Sequence, residues 1–262
     1  MKGEKRILLT VVIIIVVGGA VLAGVYFGNY NFMDQRDSPG NKNKSTPEEK
    51  EDSANGANKN SNIMSSRIDL PKPIKTSSTS VEEAITNRRS VRSYGSEALS
   101  LQSIAQLLWA AQGVTGPADR KRAAPSAGAL YPLEVYAVVD DSPELDPGVY
   151  HYLPESHELE LVREGSLTRN LAEAALGQMF VAEAPASIVI TGDYSVTTRK
   201  YGERGRQYVH MEAGHAAENL FLQAVSLDLK TVTVGAFYED EMKNLLRLPE
   251  DETPFYIMPV GK

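Results

Sequence analysis

The densest positive charge in the folded part of this sequence lies in five residues, Arg88-Arg89-Ser90-Val91-Arg92, followed by Tyr94-Gly95. Guanidiniums and a hydroxyl at that spacing can surround a dianion. Arginine meets phosphate through paired, charge-assisted hydrogen bonds, each contributing roughly 1.5–3 kcal/mol. The alternative is a solvated helix end, where basic side chains also suit the dipole, and composition leaves both open. A second stretch, Ala124-Pro125-Ser126-Ala127-Gly128-Ala129-Leu130-Tyr131-Pro132, puts small residues just ahead of a strand. Small side chains let backbone amides approach a flat ligand, and Ser126 adds a hydroxyl; an ordinary loop is the plainer reading. Val234-Gly235-Ala236-Phe237 closes a later strand with a glycine that again permits close approach. His210-Met211-Glu212-Ala213-Gly214-His215 suggests a metal site, but its histidines are five apart and share no helix face. Glu212 and His215 have the Glu-x-x-His spacing, yet no second helix carries a matching pair, so satisfied helix polar groups and no metal are expected.

The elements that must position these residues occupy about Ser80 to Lys262. Ser80-Val81-Glu82-Glu83 reads as a capping box that opens a helix through Asn87. Leu101, Ile104, Ala105, Leu108 and Ala111 recur at helical spacing, predicting a helix from Ser100 to Gly113 with one buried face. Leu133–Asp140 alternates and is β-branched, hence a strand, and Tyr150–Leu153 with Leu159–Val162 predicts a hairpin. A helix capped by Ser166 is expected to run to about Leu176. Ala186–Thr191 is a short, continuously apolar run bounded by Pro185 and Gly192, which predicts a central strand. Tyr208–Leu227 is apolar around much of its circumference and predicts a buried central helix. Strands at Thr231–Val234 and Phe255–Val260 flank a helix near Glu239–Leu246. Helices mix with strands without regular βαβ alternation, which points to an α+β fold.

Ahead of that domain lie two other zones. Ile7 to Phe27 is apolar, aromatic or glycine apart from Thr10, and Lys2, Lys5 and Arg6 precede it. A helix of that length spans roughly 30 Å, the thickness of a bilayer's hydrocarbon core, so residues 1–28 are expected to form a transmembrane anchor. A cleaved signal ending near Val21-Leu22-Ala23 is the competing reading, but its apolar region would be shorter, about 7–15 residues. The basic N-terminal cluster favours the N-terminus inside, placing the domain outside the cytoplasm in a single-pass cell-membrane protein. Residues 29–78 are rich in Asn, Lys, Ser, Glu, Asp and Pro and predict a disordered tether, with Ile68, Leu70 and Ile74 docking on the domain at residues 79–262. The net charge of -7 argues against a nucleic-acid partner, which would need a concentrated basic surface. The absence of cysteine removes thiolate nucleophiles, disulfides, iron–sulfur clusters and thiolate metal sites. There is also no Gly-x-Ser-x-Gly elbow, P-loop or dinucleotide fingerprint.

Taken in order, Arg-Arg-Ser-Val-Arg-Ser-Tyr from Arg88, Pro-Ser-Ala-Gly-Ala-Leu-Tyr-Pro from Pro125, Glu218-Asn219-Leu220 in the long helix, Val234-Gly235-Ala236-Phe237 and the closing Met258-Pro259-Val260-Gly261-Lys262 resemble the nitroreductase layout. The Ser126–Pro132 version is similar to the SagB-type dehydrogenase branch, which includes azoline oxidases. The resemblance covers about Val81 to Lys262. It implies an α+β fold with a central mixed sheet flanked by helices and FMN bound at a homodimer interface. It places Arg88, Ser90, Arg92 and Lys262 at the FMN phosphate and Arg89 beside the flavin. Pro125, Ser126, Ala127 and Gly128 would line the ring, with Gly235 approaching its N5 edge. Many members continue past the last strand into an arm that embraces the partner subunit, whereas this sequence stops at Lys262. A Lys-Tyr pair in a comparable place is implicated in catalysis in azoline-oxidising members, which nominates Lys200 and Tyr201; a charged loop is the alternative. The chemistry expected is hydride transfer between a reductant such as NAD(P)H and a small-molecule acceptor, or dehydrogenation of an organic substrate. The contrasting expectation is a non-catalytic, membrane-tethered flavin-binding or interaction module.

Overall fold

The computed structural model describes residues 67–262 apart from Pro117 and Asp119, together with the backbone of β1 (Val11–Val17) and β2 (Ala20–Tyr26). These two strands pair antiparallel, Val17 opposite Ala20 and Val11 opposite Tyr26. That departs from the single helix expected over Ile7–Phe27. A run such as Val11–Val17 is β-branched throughout, and β-branched side chains lose rotamer freedom in a helix but not in a strand. Among the described residues, no helix is long and apolar enough to cross a membrane. The tether expected over residues 29–78 lies outside the described residues up to residue 66.

The domain then runs through β3 (Arg67–Asp69), α1 (Val81–Asn87), α2 (Leu101–Gln112), β4 (Val114–Gly116), β5 (Lys121–Arg122), β6 (Leu133–Val139), β7 (Gly148–Leu153), β8 (Glu158–Glu164), α3 (Thr168–Ala174), β9 (Ala186–Asp193), α4 (Tyr194–Tyr201), α5 (Arg204–Ser226), β10 (Lys230–Thr231), α6 (Glu239–Leu246) and β11 (Glu252–Gly261). The main sheet has the order β10-β11-β9-β6-β7-β8-β3. Every pairing between its named strands is antiparallel; the parallel pairing is the isolated bridge of Ser90 to Thr231. The mixed sheet expected is therefore corrected. No helix here serves as a crossover between neighbouring parallel strands, because the hairpin and the helical excursions each return the chain in the opposite sense. Residues ahead of 79 also join the domain: Ile68 pairs with Leu159, Leu70 is buried, and the Ile74 amide donates to the Gln106 side chain at 2.8 Å.

Two cores explain the apolar strands. Leu133, Val135, Ala137 and Val139 of β6 face one core with Ala186, Ile188 and Ile190 of β9, whereas Tyr136, Val138 and Val189 face the other. A strand covered on both faces needs no polar alternation, which is why Ala186–Thr191 reads as a continuous apolar run. The first face is covered by α2 and α5, the second by α3 and α6. Helix α5 presents Val209, Ala213, Ala216, Leu220 and Ala224 to the first core. Its other side carries exposed Met211, so the central helix is buried along part of its circumference only. The expected caps hold at α1 and α2, where Ser80 and Ser100 accept from Glu83 N and Ser103 N at 3.1 and 3.3 Å. Ser166 is not the cap of α3. Its hydroxyl instead donates to the Asp140 carboxylate, and Leu167 takes the capping position without a side-chain bond.

The corner between α4 and α5 is tight. A Cβ on Gly205 would lie 2.8–2.9 Å from backbone atoms of Thr197 and Thr198, which cannot turn aside as a side-chain tip could. The Gly205→Ala variant should therefore be destabilised by about 1–3 kcal/mol in a urea melt. Unchanged stability would show that the corner has slack.

Candidate active site

One group of candidate residues collects at the β10 edge of the sheet. Arg88 ends α1, with its backbone N–H donating to Ala84 O. Its guanidinium lies 5.0 Å over the Phe221 ring of α5, and its Nε is 3.9 Å from the Glu218 carboxylate. Arg89 folds back on the same helix end, donating to Thr86 O at 2.9 Å and Arg88 O at 2.7 Å. That is the helix-end role the sequence left open, realised by Arg89 alone. Ser90 bridges Thr231, and the Val91 amide donates to Thr231 O at 3.0 Å, so the segment runs beside β10. Among the described residues the exposed Ser90 hydroxyl has no hydrogen bond. Arg92 lies 5.8 Å over Phe180. Tyr94 donates to Val91 O at 3.0 Å, and burial pushes its phenol well above the ordinary range. The Gly95 amide donates to Lys262 O, which brings the last residue to this edge. The Lys262 ammonium pairs with Glu97 at 2.9 Å, and this hydrogen bond raises its pKa. Gly235 follows the bridge of Val234 to Ile257 and is exposed; a Cβ there would find nothing closer than the Tyr256 ring at 3.7 Å. The edge thus offers open backbone, unpartnered hydroxyl and positive charge together, a donor set that fits a phosphate-bearing flat ligand.

The second group surrounds the Pro125–Gly128 stretch. Residues Ala127–Ala129 make a single 3-10 turn, and Gly128, Ala129 and Tyr131 all have positive φ, at 65°, 54° and 52°. For the non-glycine residues that region is costly, so the turn needs an external hold. Ser126 supplies part of it: its Oγ accepts from the Tyr131 amide at 2.9 Å. Lys200 and Tyr201, in the last turn of α4, close on Gly128 from the other side. A Cβ at Gly128 would fall 2.7 Å from Tyr201 Oη and 2.8 Å from Lys200 Nζ. The two side chains therefore meet the loop because residue 128 has none. The charged-loop alternative gives way to a helix, capped at its start by Asp193, which accepts from Ser195 N at 2.6 Å. Tyr201 packs edge-on against Tyr208 of α5, with centroids 5.2 Å apart.

Behind this loop lies a polar cluster around Glu212, which the sequence marked only as a helix polar group in need of a partner. Glu212 is 2% exposed, within a face of α5 otherwise made of Val209, Ala213 and Ala216. The Ser126 hydroxyl lies near its carboxylate, and Gln112 Nε2 donates to it at 3.5 Å. Gln112 in turn accepts from Arg122 Nη1 at 3.4 Å, and Arg122 lies 5.0 Å over the Tyr131 ring. Burial raises the Glu212 pKa to about 7, against the lowering pull of Ser126, Gln112 and the Arg122 charge. One clue was available: a carboxylate inside an apolar helical stripe needs a buried partner. Among the described residues no group of acidic and histidine side chains could hold a metal ion, and His210 instead bonds the Tyr194 hydroxyl at 3.0 Å.

Residues 85–262 match the sequence profile of the nitroreductase family, and the chain belongs to that family. A protein of Methanocaldococcus jannaschii named as a nitroreductase is 47% identical over 182 residues, covering 70% of this chain and 90% of that one. The microcin B17-processing protein McbC of Escherichia coli is 34% identical over 152 residues, 54% of each chain, so this chain spans about half of it. Among solved structures, a protein of Ralstonia eutropha named as a nitroreductase superposes with a TM-score of 0.66 at 29% identity, over 75% of this chain and 89% of that one. A chain of the E. coli microcin synthetase McbBCD complex, with truncated pro-MccB17 bound, gives 0.58 at 25%, over 74% and 75%. Membership makes this an oxidoreductase of a family whose members are generally flavin-dependent, on a nitroreductase-like α+β fold.

Glu212 links folding to pH. It binds its proton more tightly in the folded chain, at about 7, than at the ordinary value of 4.5, so its contribution is fully present in acid and fades as pH rises across that window. Glu212→Gln removes the titration. The stability of the wild type relative to this variant should fall between about pH 5 and 7.5, by at most about 3 kcal/mol, in urea melts at matched ionic strength. A constant difference would place the ionisation elsewhere.

Proposed function

We propose that this domain is an FMN-dependent oxidoreductase of the SagB-type branch. It would pass a hydride between a diffusible reductant such as NAD(P)H and a small-molecule acceptor, or dehydrogenate an organic substrate. The observation that carries the reading is the closure of Lys200 and Tyr201 on Gly128, inside the stretch whose sequence is similar to that branch. Similarity to McbC, a processing protein of a peptide microcin, supports the dehydrogenating direction. Arg88, Ser90, Arg92 and Lys262 would hold the phosphate, and Pro125–Gly128 would line the ring, with Gly235 open at its edge. FMN, when bound, supplies the two-electron chemistry. The protein's own part is to hold the reacting face against the loop backbone and to handle the proton. The Tyr201 hydroxyl and Lys200 ammonium share one glycine-sized gap, where one can give or take a proton while the other supplies charge.

The arrangement along α5 supports a homodimer. Arg88 stacks on Phe221, whereas Ser126 lies near Glu212, nine residues earlier. At 100° per residue those positions lie about 180° apart around the helix. One flavin touching both groups would then draw its phosphate site from one subunit and its ring-lining loop from another.

Purified protein should be yellow, release FMN rather than FAD by mass spectrometry, and bleach with NADH or NADPH or with an oxidisable substrate. Arg88→Ala should leave the fold intact and weaken FMN binding by about 1.5–3 kcal/mol, roughly 10- to 150-fold, with Ser90→Ala costing nearer 0.5–1.5 kcal/mol. Unaltered affinity in a folded Arg88→Ala protein would remove the phosphate from this edge, and yellow protein that nothing bleaches would indicate a binding module.

We also propose that the apolar stretch Ile7–Phe27, flanked by Lys2, Lys5 and Arg6, holds the protein at the cell membrane. Full-length protein should then sediment with membranes after a carbonate wash. A soluble species beginning near Gly24 would identify the stretch as a cleaved signal.

A further inference from the structure

The corner between α4 and α5 concentrates positive charge that the chemistry described so far leaves unused. Within Arg199–Arg206 four cations, Arg199, Lys200, Arg204 and Arg206, stand against one carboxylate, Glu203, in a chain whose net charge is -7. All four cations are exposed. Glu203 is taken by Arg206, at 3.3 Å. Arg199 donates to the neutral Ser195 hydroxyl at 2.9 Å, and among the described residues neither Lys200 nor Arg204 has a carboxylate or other hydrogen-bond acceptor. Three of the cations are laid against tyrosine rings instead: Lys200 at 5.3 Å from the Tyr201 centroid, Arg204 at 5.6 Å from Tyr208 and Arg206 at 4.7 Å from Tyr194. A guanidinium resting on a ring keeps the N–H groups of its edge free and gives up less freedom when a ligand arrives. The charge also continues the ring-lining loop. A Cβ on Gly128 would lie 2.7 Å from Tyr201 Oη, Tyr201 packs on Tyr208 at 5.2 Å, and Arg204 covers Tyr208. Two tyrosine rings therefore lead from the loop to an unpaired guanidinium.

We propose that this corner is a binding site for the 2′-phosphate of a nicotinamide dinucleotide, with Arg204 as its main partner, which selects NADPH over NADH. Selection of the reductant rests on the reading above that such a nucleotide reduces the flavin; binding of the phosphate does not. The sequence has no dinucleotide fingerprint, so no glycine-rich turn is set aside for a donor's pyrophosphate, and side chains around the flavin loop must meet its charge. The nicotinamide has to reach the ring beside Gly128, which leaves the adenosine end farthest from the loop. At that end NADPH differs from NADH by a phosphate monoester, a dianion whose oxygens match a guanidinium fork. Lys200 stands at the loop itself, whereas Arg204 stands beyond both tyrosines with its donors unpaired. An anionic lipid headgroup offers similar chemistry, but it has no need of continuity with the loop.

Two probes that differ only in the phosphate, 2′,5′-ADP and 5′-AMP, are titrated calorimetrically into the protein as purified, and flavin bleaching is timed with NADPH and NADH. Wild-type protein should bind 2′,5′-ADP about tenfold more tightly than 5′-AMP, with a similar kcat/KM preference for NADPH. Arg204→Ala should remove most of both preferences, roughly five- to tenfold, through the phosphorylated member of each pair alone. Arg204→Lys keeps the charge without the fork and should fall between the two. Raising the ionic strength should shrink the wild-type preference and leave 5′-AMP nearly unaffected. The proposal falls if wild-type protein binds the two probes alike, if Arg204→Ala still tells them apart, or if that variant weakens both equally. Arg204-dependent binding to phosphatidylglycerol vesicles, with the two probes bound alike, would give the corner to anionic lipid and overturn the assignment. If Arg204 discriminates the probes while neither dinucleotide bleaches a flavin, the reductant reading fails and the phosphate site is upheld.

Discussion

Helix α5 lies close against the sheet because much of its buried stripe is alanine, at positions 213, 216, 217 and 224. Large side chains there would push the helix outward and break the packing that covers β6 and β9. That close approach is the constraint from which the site follows. Arg88 leans on Phe221 and faces Glu218, Tyr201 packs on Tyr208, and Ser126 lies near Glu212. Three loops with no contact in sequence are thereby referred to one rigid rod. Helix α5 fixes geometry for residues contributed by α1, α4 and the loop ahead of β6, and little of the candidate chemistry is its own.

Elements governed by local rules were legible in the sequence. The Ser80 and Ser100 caps, the β6 strand and the doubly covered β9 run depend on neighbours within a few residues or on hydrophobic periodicity. Elements decided by competition between partners were not. Ser166 could cap a helix, but the Asp140 carboxylate offered its hydroxyl a charged acceptor instead. The Val11–Val17 run has the hydrophobicity of a spanning helix and the β-branching of a strand, and only the second is expressed in the pairing with Ala20–Tyr26. At the site, motif order identified which residues to watch, while the meeting of Lys200 and Tyr201 with Gly128 needed the fold, since over seventy positions separate them. Glu212 was visible as a helix polar group that needs a partner, but its partner Gln112 lies a hundred positions away on α2 and needed the fold.

The two groups of residues differ in how they are prepared. The β10 edge is assembled by backbone pairing, through Ser90 with Thr231 and Gly95 with Lys262, and its side chains are left exposed or loosely paired. The Ser126–Tyr131 turn is held in a costly conformation by the Tyr131 amide's bond to Ser126 Oγ and by the stacking of Arg122 on Tyr131. An open, charged edge suits capture of an anion from water, where Coulomb attraction tolerates imprecision. A rigid, partly buried turn suits alignment of a reacting face, where small displacements are costly.

The three-residue strand β3 seals β8, which would otherwise expose an unpaired edge, and it ties the chain ahead of Arg67 to the domain through Ile68, Leu70 and the Pro71 carbonyl on His157. Any pull arriving from the N-terminal side must pass through that short ladder before it reaches the sheet's interior. It pairs antiparallel to β8 at Arg67, Ile68 and Asp69, and the Leu70 amide extends the contact by donating to His157 O at 3.2 Å. The chain ahead of the domain is therefore attached at the sheet's rim, six strands away from β10, where Ser90 bridges Thr231.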